Sequence, residues 1–175
     1  MDNNEFRELE KRRQSFDQKR NAFLDRLETL SQEQLSQKPG PDRWSLLQVA
    51  QHLMLGEFEV LQQLPERSAL VEQNRSIRDS IMSFVVLTIL RCGIRVKVPS
   101  PAMEPNGDTT LKDIRNQWDN SQAWLKEFVT SLDNQTLDRP VFSHPVSGPL
   151  TISQVVTLAD VHFDSHMKKI EDRFQ

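Results

Sequence analysis

Leu9, Phe16, Phe23 and Leu30 recur every seven residues, and Phe6 and Leu27 widen the stripe they make. A seven-residue apolar period is two turns of α-helix with one face set aside for a core; a strand would need a period of two. The first 35 residues therefore read as one long helix. The stretch "KPGPDRW" ends it, because two prolines and a glycine do not continue a helix.

The rest of the chain repeats the theme. Trp44-Ser45-Leu46-Leu47-Gln48-Val49 has the order of a capping box, with Ser45 and Gln48 each able to satisfy a free backbone N–H and Trp44 and Val49 set as a hydrophobic staple. A second helix is expected from Ser45 to about Leu64, where Pro65 stops it. A shorter helix is expected over Arg75–Arg91. A Pro- and Gly-rich loop follows, with an extended start at Ile94–Val98. From Thr109 to Leu132, Leu111, Ile114, Trp118, Ser121, Leu125, Phe128 and Leu132 keep a heptad rhythm. "DRPVFSHPVSGP" reads as a loop. Leu150-Thr151-Ile152-Ser153-Gln154-Val155 then repeats the capping device of the second helix and opens a last helix that runs to Ile170. Four long amphipathic helices and one shorter one predict an all-α helical bundle, and a chain of 175 residues suits a single domain, 1–175. No alternating strand series and no Gly-rich phosphate loop is visible, which argues against Rossmann and P-loop folds.

Composition narrows the function classes. Acids outnumber bases 25 to 22, for a net charge of -3, so a nucleic-acid partner is not expected. The basic run Lys11-Arg12-Arg13 alternates with Glu8 and Glu10 and reads as a solvated helix face. Cys92 is the single cysteine, which fits a reducing cytoplasm; placed just after an apolar run, it is expected to be buried and inert. The start "MDNNEFRELEKRR" is charged, so no secretory leader is expected. The run Ile81–Leu90 is too short to span a membrane and is followed by Arg91 and Arg95, which favours a buried helix.

The histidines carry the chemistry. On the last helix His162 and His166 share a face with Ile152, Val155, Ala159 and Ile170. On the second, His52 shares a face with Val49, Leu53, Gly56 and Val60. Burying an unpaired polar ring costs on the order of 1–3 kcal/mol. Each ring could be satisfied by a backbone carbonyl or a carboxylate. A divalent ion would satisfy all three at once, because neutral imidazole suits Zn, Ni, Fe or Cu and an i, i+4 pair presents both rings to one ion. Gly56, one turn beyond His52, could leave room for a substrate. Glu59 lies on the His52 stripe two turns on; it is a weak candidate for a base, with a bundle-edge salt bridge as the plainer role. His144, between Ser143 and Pro145, reads as a loop brace or pocket rim, and Asp160 and Asp164 as surface charges.

Two blocks then resemble a known family. The first is W-S-x-x-x-V-x-x-H, here Trp44, Ser45, Val49 and His52. The second is H-P-x-x-G-x-L-T followed by H-x-x-x-H, here His144, Pro145, Gly148, Leu150, Thr151, His162 and His166. With the helix order around them, the chain is similar to the DinB/YfiT-like superfamily of metal-dependent enzymes. The resemblance implies a four-helix bundle in up-down-down-up order, here with an additional short helix between the second and third bundle helices. It also implies a three-histidine metal site at His52, His162 and His166, and a homodimer, which an exposed apolar run at 81–90 would suit. Zn or Ni is the expected metal, with Fe or Mn also accommodated. The implied activities include transfer of a low-molecular-weight thiol to an electrophilic substrate, the metal carrying the thiolate. The same ion could activate water for hydrolysis, with Glu59 as base, or the protein could be a non-catalytic metal- or small-ligand-binding stress protein. Residues 66–100 match nothing specific in the family pattern.

Overall fold

The structure is a computed structural model. It describes residues 4–65, 76–92, 100–133 and 136–174, so the expected extended start at Ile94–Val98 lies outside the described residues. Six α-helices and one hairpin carry the described chain: α1 (Asn4–Glu28), α2 (Gln32–Ser36), α3 (Leu46–Leu61), α4 (Ile77–Arg91), α5 (Leu111–Ser131), β1 (Pro140–His144), β2 (Gly148–Thr151) and α6 (Ile152–Ile170). The mostly helical architecture is the one the periodicity predicts. Two details of it are corrected.

The first 35 residues are not one helix. α1 ends at Glu28, and Ser31 starts α2 with its own capping box: its hydroxyl accepts from the Gln34 N–H while the Gln34 side chain accepts from the Ser31 N–H. Closing that box fixes Ser31 in an extended conformation, φ -69° and ψ 158°, which a continuous helix would not allow. Leu30 is consequently only half-buried, and Leu35 supplies the buried side chain instead. The stretch expected as a loop after α5 contains an antiparallel hairpin, with Phe142 opposite Leu150 and His144 opposite Gly148. Four- and five-residue strands containing Pro140, Pro149 and Gly148 resemble a loop in sequence.

The contacts of the chain gather into two compact units. The first comprises residues 1–14, 63–95 and 126–175. In it α6 packs on α4 and on both strands of the hairpin, and α4 also meets β2. Ile152, Val156 and Val129 are fully buried there. Gly148, at φ +69°, has no alternative, since a Cβ at that position would lie 2.6 Å from Asp79 Oδ1. Arg13 is buried rather than solvated, because Glu10 holds its guanidinium with two bonds of 2.8 and 2.7 Å. The expectation of a solvated basic face holds only for the exposed Lys11 and Arg12. Two further expectations fail here. The apolar run on α4 is not buried: Ile81 and Phe84 are 58% and 68% exposed. Cys92 is exposed as well, since it caps that same open helix.

The second unit comprises residues 15–62 and 96–125. Leu24, Leu27, Ala50, Ile114 and Trp118 form its core. The α3 capping box closes as expected, with Ser45 and Gln48 exchanging 3.1 Å bonds. Arg20 is buried beside Trp118, its guanidinium 5.7 Å from the ring centre, and is paired with Asp17 and Asp119. That arrangement satisfies the cation on three sides, which burial requires. No described helix is long and apolar enough to cross a membrane.

Candidate metal centre

His52 is placed by the α3 cap. With Ser45 fixed as N-cap, residue 52 falls in the second turn, among the buried side chains of that helix. Its Nδ1 lies 2.8 Å from the Met103 carbonyl oxygen. A carbonyl only accepts, so Nδ1 carries a proton, and in the neutral ring Nε2 is then the free acceptor nitrogen. Trp44 lies against the ring at 4.6 Å between centres, tilted by 46°. This is the arrangement in which a metal-ligating histidine is usually held: one nitrogen tied to a carbonyl, the other ready for the ion.

His162 and His166 are placed by the α6 cap. Thr151 accepts from the Gln154 N–H and the Gln154 side chain accepts from the Thr151 N–H, which fixes the register of the helix. Four residues apart, the two rings meet edge to face at 4.8 Å, and their Nε2 atoms are 3.2 Å apart. At that distance one Nε2 donates and the other accepts. Both rings are half-buried, whereas His52 is 4% exposed.

His52, His162 and His166 form a group in which each offers one ring nitrogen and these nitrogens lie within 4.8 Å of one another. Nitrogens bound to one ion at about 2.0–2.1 Å stand about 2.9–3.4 Å apart in octahedral or tetrahedral geometry. The His162–His166 pair already has that spacing. Three neutral nitrogens are a suitable donor set for a divalent ion, and the residues present fit one.

The other expected site residues are not part of this group. Glu59 is half-buried on α3. Asp160 and Asp164 are half-buried on α6. His144 braces a turn, as expected: its Nδ1 accepts the backbone N–H of Val146 at 3.1 Å and of Ser147 at 3.0 Å. Burial holds its pKa below the ordinary histidine value. Gly56 is buried one turn beyond His52.

One acid was overlooked in the sequence. Glu57 is buried on α3, where its carboxylate accepts from Trp118 Nε1 at 2.7 Å and from Gln122 Nε2. Burial pushes its pKa up to about 7, against the opposing pull of the Trp118 bond, the Arg20 charge and the Gln122 bond. The signal was present: Ala50, Leu53, Met54, Glu57 and Leu61 follow the helical period, so residue 57 lies on a buried stripe.

Over 164 residues, 91% of this chain and 97% of the relative, the sequence is 27% identical to the uncharacterized protein YuaE of Bacillus subtilis. The family model of the DinB superfamily matches residues 15–170, which take in the α3 cap, the hairpin and all three histidines, and the chain belongs to that superfamily.

Proposed function

We propose that this protein is a metal-dependent enzyme in which His52, His162 and His166 hold a divalent ion and a low-molecular-weight thiol is transferred to an electrophilic small molecule. The observation that carries the reading is the convergence of three ring nitrogens within 4.8 Å, one of them already in the tautomer that ligation requires. Zn or Ni is the preferred ion, and Fe or Mn also suits the nitrogen donors. An ion held there supplies a Lewis acid and lowers the pKa of a thiol brought against it. The remaining work falls to the chain. Met103 keeps the proton of His52 on Nδ1, Trp44 covers one side of that ring, and Gly56, buried a turn away, adds no side chain of its own. Glu59 is a weaker candidate for a base.

The same reading takes the chain as one domain, 1–175, with α1, α3, α5 and α6 as a four-helix bundle in up-down-down-up order and α4 as the additional helix. It takes the protein as a cytoplasmic homodimer that pairs through the exposed face of α4 and has no nucleic-acid partner, in keeping with its acidic charge.

Elemental analysis of untagged protein beside a His52→Ala variant tests the site. Stoichiometric metal in the parent and little in the variant is the expected result; no metal in the parent, or equal metal in both, defeats the reading. Metal-loaded protein is then offered several low-molecular-weight thiols with monochlorobimane as electrophile. Conjugation that needs both metal and thiol supports the transferase. Ester or amide hydrolysis without thiol would instead favour a hydrolase, and tight metal binding with neither activity a binding protein.

A further inference from the structure

The segment from Ser100 to Asp108 is tied to α3 at two adjacent residues. Its Met103 carbonyl accepts from His52 Nδ1 at 2.8 Å. Gln51, the residue before, holds the same segment with both ends of its amide: Nε2 donates to Asn106 Oδ1 at 2.7 Å, and Oε1 accepts from the Gly107 N–H at 2.9 Å. Gln51 is 7% exposed, so these two bonds stand in for the water it gave up. The segment is also stiff in itself. Ser100 caps a single 3-10 turn over Pro101–Met103, and Asn106 Oδ1 accepts from the Asp108 N–H as well as from Gln51. Gly107 takes φ +80°, where other residues are strained, and its N–H is the one Gln51 receives.

Neutral imidazole in water prefers its proton on Nε2. The Met103 carbonyl reverses that preference only if it stays in line with Nδ1, and its position is set by a segment that Gln51 clamps three to four residues further on. We propose that Gln51 is a positioning residue of the metal centre: by holding the Ser100–Asp108 segment it keeps the Met103 carbonyl on His52 and so keeps Nε2 open to the ion. This rests on the three-histidine metal reading, but its first consequence is visible without any metal.

The test uses the full-length chain with Gln51→Ala and, as a second variant that leaves the glutamine in place, Gly107→Ala. Nitrogen-15 NMR of the imidazoles in metal-free protein reports the tautomer. His52 is expected as Nδ1–H in the parent and shifted toward Nε2–H in both variants. Competition with a chelator for Zn(II) is expected to show affinity falling by about 10–100-fold, the usual effect of losing an outer partner of a ligating histidine. Ser31→Ala, which loosens the α2 cap, is the control for general destabilisation and is expected to move neither readout. An unchanged His52 tautomer in both variants overturns the proposal, as does a shift of equal size in the control. Failure of the parent to take up Zn(II) would defeat the metal reading and leave the tautomer measurement to judge the clamp.

Discussion

Glu57 shows how one side chain can set the pH response of the fold. It is buried, its pKa lies near 7 instead of 4.5, and burial is the main cause. The raised value means that the folded state holds this proton more tightly than the unfolded chain does. Its contribution is therefore complete below about pH 4.5 and is lost as pH rises through 7. A shift of this size is worth on the order of 3 kcal/mol. Arg20 opposes the loss without cancelling it, since it is already shared between Asp17 and Asp119. Gln122 Oε1 is a buried acceptor without a partner among the described residues. Glu57→Gln keeps an oxygen for Trp118, and with the Gln122 amide flipped its Oε1 accepts the new N–H. Denaturant unfolding at pH 5 and pH 8 should show that the parent loses stability toward pH 8 relative to the variant, with the variant the more stable of the two at pH 8. A parent that loses no stability relative to the variant would mean that the acid is not held neutral. The histidines were legible from their stripes, since position on a helix face needs only the 3.6-residue period. How deeply each is buried was not: His52 is enclosed while His162 and His166 are half-open, and that depends on what packs against each helix.

The helices begin where short polar signals say they do, and the hairpin is where local reasoning stopped. Ser45–Gln48 and Thr151–Gln154 could be read directly because a capping box is satisfied within four residues. The Ser31–Gln34 box obeys the same rule, but the heptad running through Leu30 concealed it. The hairpin is harder, because its strands are short and its turn is held by a side chain. In place of an Asn-Gly turn, His144 Nδ1 accepts two backbone N–H groups, so the imidazole does the work of an Asx oxygen. That bond pattern needs an unprotonated Nδ1. Burial lowers the His144 pKa, so the turn's stability is fully present above about pH 6.5 and is lost as pH falls through the lower folded value. The sign is opposite to that of Glu57. Amide exchange at Val146 and Ser147 should accelerate on acidification more than in the helices. His144→Asn, which can still accept an N–H, should preserve most of their protection, and His144→Ala should lose it at a cost of about 1 kcal/mol. Equal protection in the asparagine and alanine variants would show that the turn does not depend on the ring nitrogen.

At the scale of the whole molecule, α4 packs on α6 and β2 with one face and leaves an apolar stripe open on another. Ile77, Ile81, Phe84 and Val85 are 83%, 58%, 68% and 37% exposed, and they form a single stripe at helical spacing. An apolar run in a sequence indicates that a surface leaves water, but not whether its partner is the same chain or another. That is why a buried helix was the natural expectation and an open one is found. Burying a large apolar side chain gives about 1.5–3 kcal/mol, and association costs on the order of 4–15 kcal/mol before any gain appears. Three or four such side chains from one copy fall within that cost. The same set contributed twice, as a two-fold axis requires, reaches or exceeds it. The protein should therefore sediment as a dimer. Phe84→Asp places a charge in the centre of the stripe and should give a monomer whose helical circular dichroism is unchanged, because residue 84 is mostly exposed within its own chain. Elemental analysis should find the same metal content in this monomer, since no ligand lies on α4. Sedimentation of the parent as a monomer over a wide concentration range would remove the pairing of copies through this helix from the proposed function, and it would leave the three-histidine centre untouched.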